Sequence, residues 1–306
     1  MVCPLFWYLK GAYFMKYCIS LYRNHPLQDT VDEMIVKYNA KDKTMFEFIE
    51  QHINQTIIFL ISDIQSFLDT GETAKFIAFK ETHPELTNWK FKISYPEIDS
   101  VEGQKLQQDF EQAGIPYFSG YFIHDWAHLH RYLNSAVTDL YITESLCFEL
   151  ENVSKLAHEK GKLIRVFPNV AQSEDMKFIN GIKTFFIRPE DTDIYEPYVD
   201  VCELWGDEHK QVVYHEIYTK DKKWYGKLNE IIYGLKSEVD SRRILPIFAE
   251  RRINCGMRCL KTQRCNFCDN IEKLSSELEN KELIISIPKE SKTDEETSPI
   301  ENKNLD

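Results

Sequence analysis

From about residue 16 the chain alternates between short β-branched or aromatic runs and longer stretches whose apolar residues recur at helical spacing. KYCISLYR (16–23) reads as a strand, and TVDEMIVKY (30–38) as a short second one. TMFEFIEQH (44–52) has the period of a helix, and QTIIFLIS (55–62) is a continuous apolar run suited to a strand buried on both faces. Asp63 stands where the next helix needs an N-cap. The alternation continues through strand WKFKISY (89–95), helix GQKLQQDFEQAG (103–114), strand PYFSGYFI (116–123) and helix HDWAHLHRYLNSA (124–136). TDLYITE (138–144) then leads into FELENVSKLAHEKG, a helix ended by glycine at its C′ position. KLIRVFPN (162–169), IKTFFIRPED (182–191) and VDVCELWG (199–206) are three more strand candidates. Residues 208–235 look largely helical, and RRILPIFA (242–249) is a candidate last strand.

Repeated strand–helix units require parallel pairing through crossover helices. About eight strand candidates, with no glycine-rich phosphate loop after any of them, favour a parallel α/β TIM-like barrel, complete or incomplete, over an open doubly wound sheet. The expected organisation is a barrel over 16–250, a cysteine segment over 251–270, and a partly helical stretch that passes into an acidic, disordered tail by 306. The opening MVCPLFWYLKGAYFM is apolar. It lacks a basic n-region and a small-residue cleavage site, and Lys10 and Gly11 interrupt it. Neither a signal peptide nor a membrane span is expected there, and Met15 is a candidate natural start.

Composition narrows the picture modestly. A 43% hydrophobic content supports a sizeable core, and a formal charge of −12 argues against broad nucleic-acid binding while leaving room for a local basic patch. The eight cysteines do not have the pattern of a secreted disulfide scaffold, so a reducing, cytoplasmic setting is expected. Cys3, Cys18, Cys147 and Cys202 sit among apolar neighbours and read as buried thiols.

The other four cysteines carry the strongest chemical signal. Cys255, Cys259, Cys265 and Cys268 are spaced C-x3-C-x5-C-x2-C, which lets one short segment surround a single tetrahedral centre. Zinc and a [4Fe–4S] cluster use the same four thiolates, so the choice between them stays open. Arg251, Arg252, Arg258, Lys261 and Arg264 would offset the thiolate charge, or contact RNA or a protein partner.

Reacting groups in a parallel barrel gather at the C-terminal ends of its strands. Those positions hold Asp63, His124, Asp125, Glu144, Asn169, Gln172, Arg188, Glu190, Asp191, Glu203 and Trp205. Arg188, Glu190, Glu144 and Glu203 are the expected catalytic residues, and the Arg188–Glu190 pair is placed first. His124 and His128 share a helical face, whereas His130 points about 160° from His128. A second metal at these histidines is a minor expectation. No nucleophile elbow, phosphate loop, H-E-x-x-H helix or dinucleotide fingerprint occurs.

AVTDLYITESLCFELENVSKLAHEKGKLIRVFPNVAQS, FFIRPEDTDIYEPYVDVCELWG and INCGMRCLKTQRCNFC together resemble the collagenase-like peptidase family, the thirty-second peptidase family of unknown mechanism. That resemblance implies a barrel-like fold. It also implies either an iron–sulfur cluster serving RNA-base or quinone hydroxylation, or a peptidase. Where the family has histidine–glycine after its acidic strand, this chain has Trp205-Gly206, and about 45 extra residues precede its cysteines. The contrasting expectation is a non-catalytic zinc knuckle that binds RNA or a protein partner, with the barrel as scaffold.

Overall fold

Nine strands, β1 (Lys16–Leu21), β2 (Glu33–Lys37), β3 (Thr56–Ile61), β4 (Trp89–Ile93), β5 (Tyr117–Ser119), β6 (Phe122–Ile123), β7 (Asp139–Ile142), β8 (Leu163–Val166) and β9 (Val201–Leu204), form one sheet in which every pairing is parallel. This is a computed structural model, which describes residues 15–277 apart from 22–26, 28, 40, 43, 96, 172–183, 245–246 and 257–266. The strand order is β5-β4-β3-β2-β1-β9-β8-β7-β6, so the two outermost strands are consecutive in the chain. Only Gly120 and Tyr121 separate them, and the Thr138 amide at the start of β7 donates to Tyr117 O of β5 at 2.9 Å. The sheet therefore curls and this bond brings its two ends together, and its parallel pairing is what the strand–helix alternation predicts.

Helices α1 (Met45–Gln51), α2 (Ile64–Asp69), α3 (Glu72–Thr82), α4 (Val101–Ala113), α5 (Trp126–Leu133), α6 (Leu150–Glu159), α7 (Thr192–Tyr195) and α8 (Glu208–Glu216) follow the strands. Local chemistry sets several of their starts. Asp63, Ser100, Asp125 and Asp207 each accept a backbone N–H of the first turn, satisfying a donor the helix itself cannot. Gly114 ends α4 in the left-handed region at φ +61°, where a Cβ would be strained and would meet the Lys80 ammonium at 2.9 Å. Between sheet and helices lies an aromatic core. Phe59 and Phe91 on the outer sheet face pack against Phe67, Phe76 and Phe110 of the helices at ring separations of 4.7–5.7 Å.

Three stretches depart from the sequence-based expectation. PYFSGYFI is two strands, because Gly120 N–H bonds Ile93 O at 2.7 Å and the chain breaks step before β6 pairs with β7. The described part of IKTFFIRPED contributes no strand to the sheet: β8 and β9 pair directly, Arg165 beside Val201, leaving no slot between them. RRILPIFA is a 3-10 turn (Ser241–Arg243) followed by helix α9 (Ile247–Arg252). With β9 already paired to β1 and β8, no place remains beside it for this segment. Residues 208–235 are continuously helical only through Asp221, with one further 3-10 turn at Leu228–Glu230. Helix α10 (Phe267–Glu277) closes the described chain, and the expected disordered tail and apolar leader lie outside the described residues. No helix among the described residues is long and apolar enough to cross a membrane.

Candidate active site at the C-terminal mouth

Strand alternation turns every second residue into the interior of the curled sheet. The registers give three interior levels: Glu33, Lys90, Asp139 and Val201 at the bottom; Cys18, Ile58, Phe118 and Arg165 in the middle; Ile35, Lys92, Tyr141 and Glu203 nearest the C-terminal strand ends. A barrel interior is ordinarily filled by branched aliphatic side chains. This one holds three carboxylates and three cations that meet across it.

The two lower levels form a sealed network. Asp139 accepts from Lys90 Nζ at 2.8 and 3.1 Å and from Arg165 Nε at 2.9 Å, and Arg165 Nη2 also donates to Glu33. Lys90 Nζ lies 3.5 Å from Glu33. Burial pushes the Asp139 carboxyl up, but the Lys90 and Arg165 charges outweigh it and hold the group well below the usual carboxylate range. The Arg165 guanidinium stacks 4.7 Å from the Phe118 ring centroid, and its Nη1 has no hydrogen-bond partner among the described residues. Cys18 is sealed into the same space, where burial and then the Glu203 charge push its thiol up.

The upper level is different because it meets the mouth. Lys92 Nζ donates to Tyr141 Oη at 2.7 Å and lies 3.3 Å from Glu203 Oε1, while Tyr141 donates to the other Glu203 oxygen. Burial, and then the Glu203 charge, keep the Tyr141 phenol well above its ordinary pKa, so it is a neutral donor. Lys92 is the most accessible of the three, with 14% of its side chain exposed. Aromatic rings rise around them. Phe167 stacks on Tyr141 at 5.5 Å, with Phe122 edge-on at 5.7 Å and Trp205 edge-on at 6.0 Å from Phe167. Asn169 fixes the Trp205 backbone through both amide atoms, at 2.7 and 2.9 Å. Phe122 and Trp205 remain about half exposed, giving the mouth two accessible aromatic rings above a charged floor.

Of the residues expected from sequence, Glu203 lies on this floor and Trp205 and Asn169 on its rim. Arg188 does not reach the mouth. It is 2% exposed, pairs in bidentate fashion with Asp191 (2.6 and 2.7 Å), and donates to the Ser241 and Ile244 carbonyls. Its expected partner Glu190 is 3.6 Å away and is held by the Ser241 hydroxyl. The pair thus fastens the segment after β8 to residues 241–244, which is why a mouth position was the wrong inference. The side chain of Glu144 and the whole of Gln172 lie outside the described residues.

Lys92 and Tyr141 were absent from the sequence reading. WKFKI looks like a strand with one solvated face. In a parallel sheet covered by helices on the outside, the lysine face has to be the inner one. That conflict was the available signal.

Two of the four expected metal ligands are described. Cys255 and Cys268 are half-buried and pack against the core, and Cys259 and Cys265 lie outside the described residues. The two ends of the segment come together, because Phe248 of α9 stacks on Phe267 of α10 at 6.3 Å and Arg251 lies over Phe267 at 5.0 Å. Gly256 turns in the left-handed region and its N–H bonds Phe148 O at 2.9 Å, docking the segment onto the loop after β7. Arg252 is not an RNA-facing residue. It is 1% exposed, donates to Thr184 O and sits among the rings of Phe148, Phe185, Phe186 and Phe248 at 4.5–5.9 Å.

No family model matches the chain, and no curated protein matches it. Among solved structures, it is similar to the tryptophan synthase alpha subunit from Campylobacter jejuni, at 11% identity and a TM-score of 0.41, over 74% of this chain and 96% of that one. It is also similar to the alpha subunit from Legionella pneumophila, at 11% identity and a TM-score of 0.36, over 74% of this chain and 90% of that one.

Proposed function

We propose that this chain is a barrel enzyme that acts at the C-terminal mouth on a planar ring bearing a carbonyl or hydroxyl oxygen. The Lys92–Glu203 ion pair carries the reading. It is the one level of the interior charge network that reaches the mouth, and it lies beneath the aromatic surfaces of Phe122, Phe167 and Trp205. A flat ring would stack on the exposed face of Trp205 or Phe122. Lys92 would stabilise negative charge developing on its oxygen, and Glu203 would take up or return a proton. Tyr141 is a positioning residue: its donated hydrogen bond fixes one Glu203 oxygen and leaves the other toward Lys92.

The resemblance to collagenase-like peptidases supports RNA-base or quinone-type rings as the substrate class. A four-cysteine centre belongs to the same proposal. Cys255 and Cys268 lie close to the Phe248–Phe267 stack that joins α9 to α10, which suits a single zinc ion or [4Fe–4S] cluster held by Cys255, Cys259, Cys265 and Cys268. The inward turn of Arg252 weighs against the alternative of a purely RNA-binding knuckle.

Uracil and 4-hydroxybenzoate serve as flat-ring probes. Titrating either into the protein while following tryptophan fluorescence should give saturable quenching that Trp205→Leu abolishes. Absence of saturation with both probes, or unchanged quenching in Trp205→Leu, would remove the ring-binding reading.

A further inference from the structure

A second cluster stands at the same rim, and the reaction proposed above does not use it. Strand β6 ends at Ile123, Asp125 caps α5, and this short connection brings His124 and His128 onto one oxygen of the Asp125 carboxylate. His124 Nε2 lies 3.4 Å from Asp125 Oδ2, and His128 Nδ1 lies 2.7 Å from the same oxygen. One ligand atom from each residue falls within 4.8 Å of the others. We propose that His124, Asp125 and His128 form a three-ligand site for a divalent first-row transition ion, with zinc as the reference case, whose remaining coordination positions are open.

Several features of the geometry favour an ion over a simple helix cap. The two carboxylate oxygens have separate tasks. Oδ1 accepts the His128 backbone N–H at 2.8 Å and thereby orients the group, while Oδ2 is the atom on which both imidazoles converge. Zinc bonds of about 2.0–2.1 Å place neighbouring ligand atoms of a tetrahedron about 3.3–3.4 Å apart. The His124–Asp125 separation of 3.4 Å already has that spacing. The His128 contact is shorter because a proton now bridges it, and an ion would take that proton's place while the pair opened by about 0.6 Å.

Outer contacts are also in place. His124 Nδ1 faces Phe122 O at 3.3 Å, an arrangement that presents Nε2 as the ligand, and His128 Nε2 faces the Tyr121 hydroxyl at 3.4 Å. Backbone acceptors and hydroxyls in these positions fix the imidazole tautomer and ring orientation in metal sites. Two histidines and a carboxylate with open positions form a donor set used both for zinc and for non-haem iron. The group is 36–43% exposed, so an ion can enter without the fold opening.

The test must be independent of the cysteine segment, for which a metal centre is also proposed. Full-length protein purified with zinc and dialysed against a weak chelator would be titrated with zinc chloride in a calorimeter. One further equivalent should bind. His124→Ala and His128→Ala should each weaken that event by at least the ~10–100-fold that loss of a mere outer-shell partner costs. Any metal held by the cysteine segment should stay constant by metal analysis. His124→Ala leaves the Asp125 cap intact, so an unchanged circular dichroism spectrum separates lost ligation from lost folding. A titration that shows no further equivalent, or one whose affinity is the same in both histidine variants, would overturn the inference.

Discussion

Asp139 offers the sharpest test of the charged interior. Replacing it by asparagine keeps the shape and one acceptor oxygen but deletes a charge that neutralises Lys90 at 2.8 Å and Arg165 at 2.9 Å. At those separations each attraction is on the order of 6 kcal/mol for an effective dielectric near 20, and most of it offsets the desolvation of the charges. What remains observable is the cost of leaving a buried cation uncompensated, so Asp139→Asn should lose about 3–5 kcal/mol of unfolding free energy. Equilibrium unfolding in urea, followed by far-ultraviolet circular dichroism, measures it.

The double variant Lys90→Met with Asp139→Leu should be more stable than either single variant, because Glu33 and Arg165 then remain as a neutral pair. The pH dependence has a definite sign. A carboxyl held below its unfolded value contributes stability above about pH 3.9 that is lost as pH falls further, so the gap between wild type and Asp139→Asn should narrow below about pH 4. A single-variant loss under about 0.5 kcal/mol, or a double variant as unstable as the summed singles, would refute the reasoning.

Other outcomes follow from the same contacts. Arg188→Ala should cost about 3–5 kcal/mol in urea unfolding by leaving Asp191 buried without its cation, in contrast to the near-neutral effect expected of a mouth residue. If the proposed four-cysteine centre exists, Cys265→Ser should release its metal, read by metal analysis, while the unfolding transition of the barrel persists. Phe118→Ala should destabilise by about 3–5 kcal/mol, since it empties the middle of the interior and removes the ring beneath Arg165; the urea midpoint reports it.

The strand–helix order was legible in the sequence because its period switches cleanly between two and 3.6 residues, and glycine and aspartate mark the helix ends. Two candidate strands, at 182–191 and 242–249, failed for a reason periodicity does not carry: the neighbouring strands were already paired to each other. Glu203 was legible as a strand-end acid, yet its partners were not. Lys92 and Tyr141 come from strands 111 and 62 residues away in the chain, and only curling the sheet brings them together. Arg188 misled because an arginine beside acids looks the same at a catalytic rim and in a buried fastening. The His-Asp-x-x-His run was visible, but its convergence depends on where β6 stops and α5 begins.

The measurement that tests the central claim most directly removes both charges of the mouth pair at once. Lys92→Met combined with Glu203→Gln leaves neither group buried against an absent partner, so unfolding free energy should stay within about 1 kcal/mol of wild type. Binding of uracil or 4-hydroxybenzoate, followed by Trp205 fluorescence, should weaken at least tenfold, about 1.4 kcal/mol. A double variant that is equally stable and binds both probes with wild-type affinity would contradict the assignment of function to the Lys92–Glu203 floor.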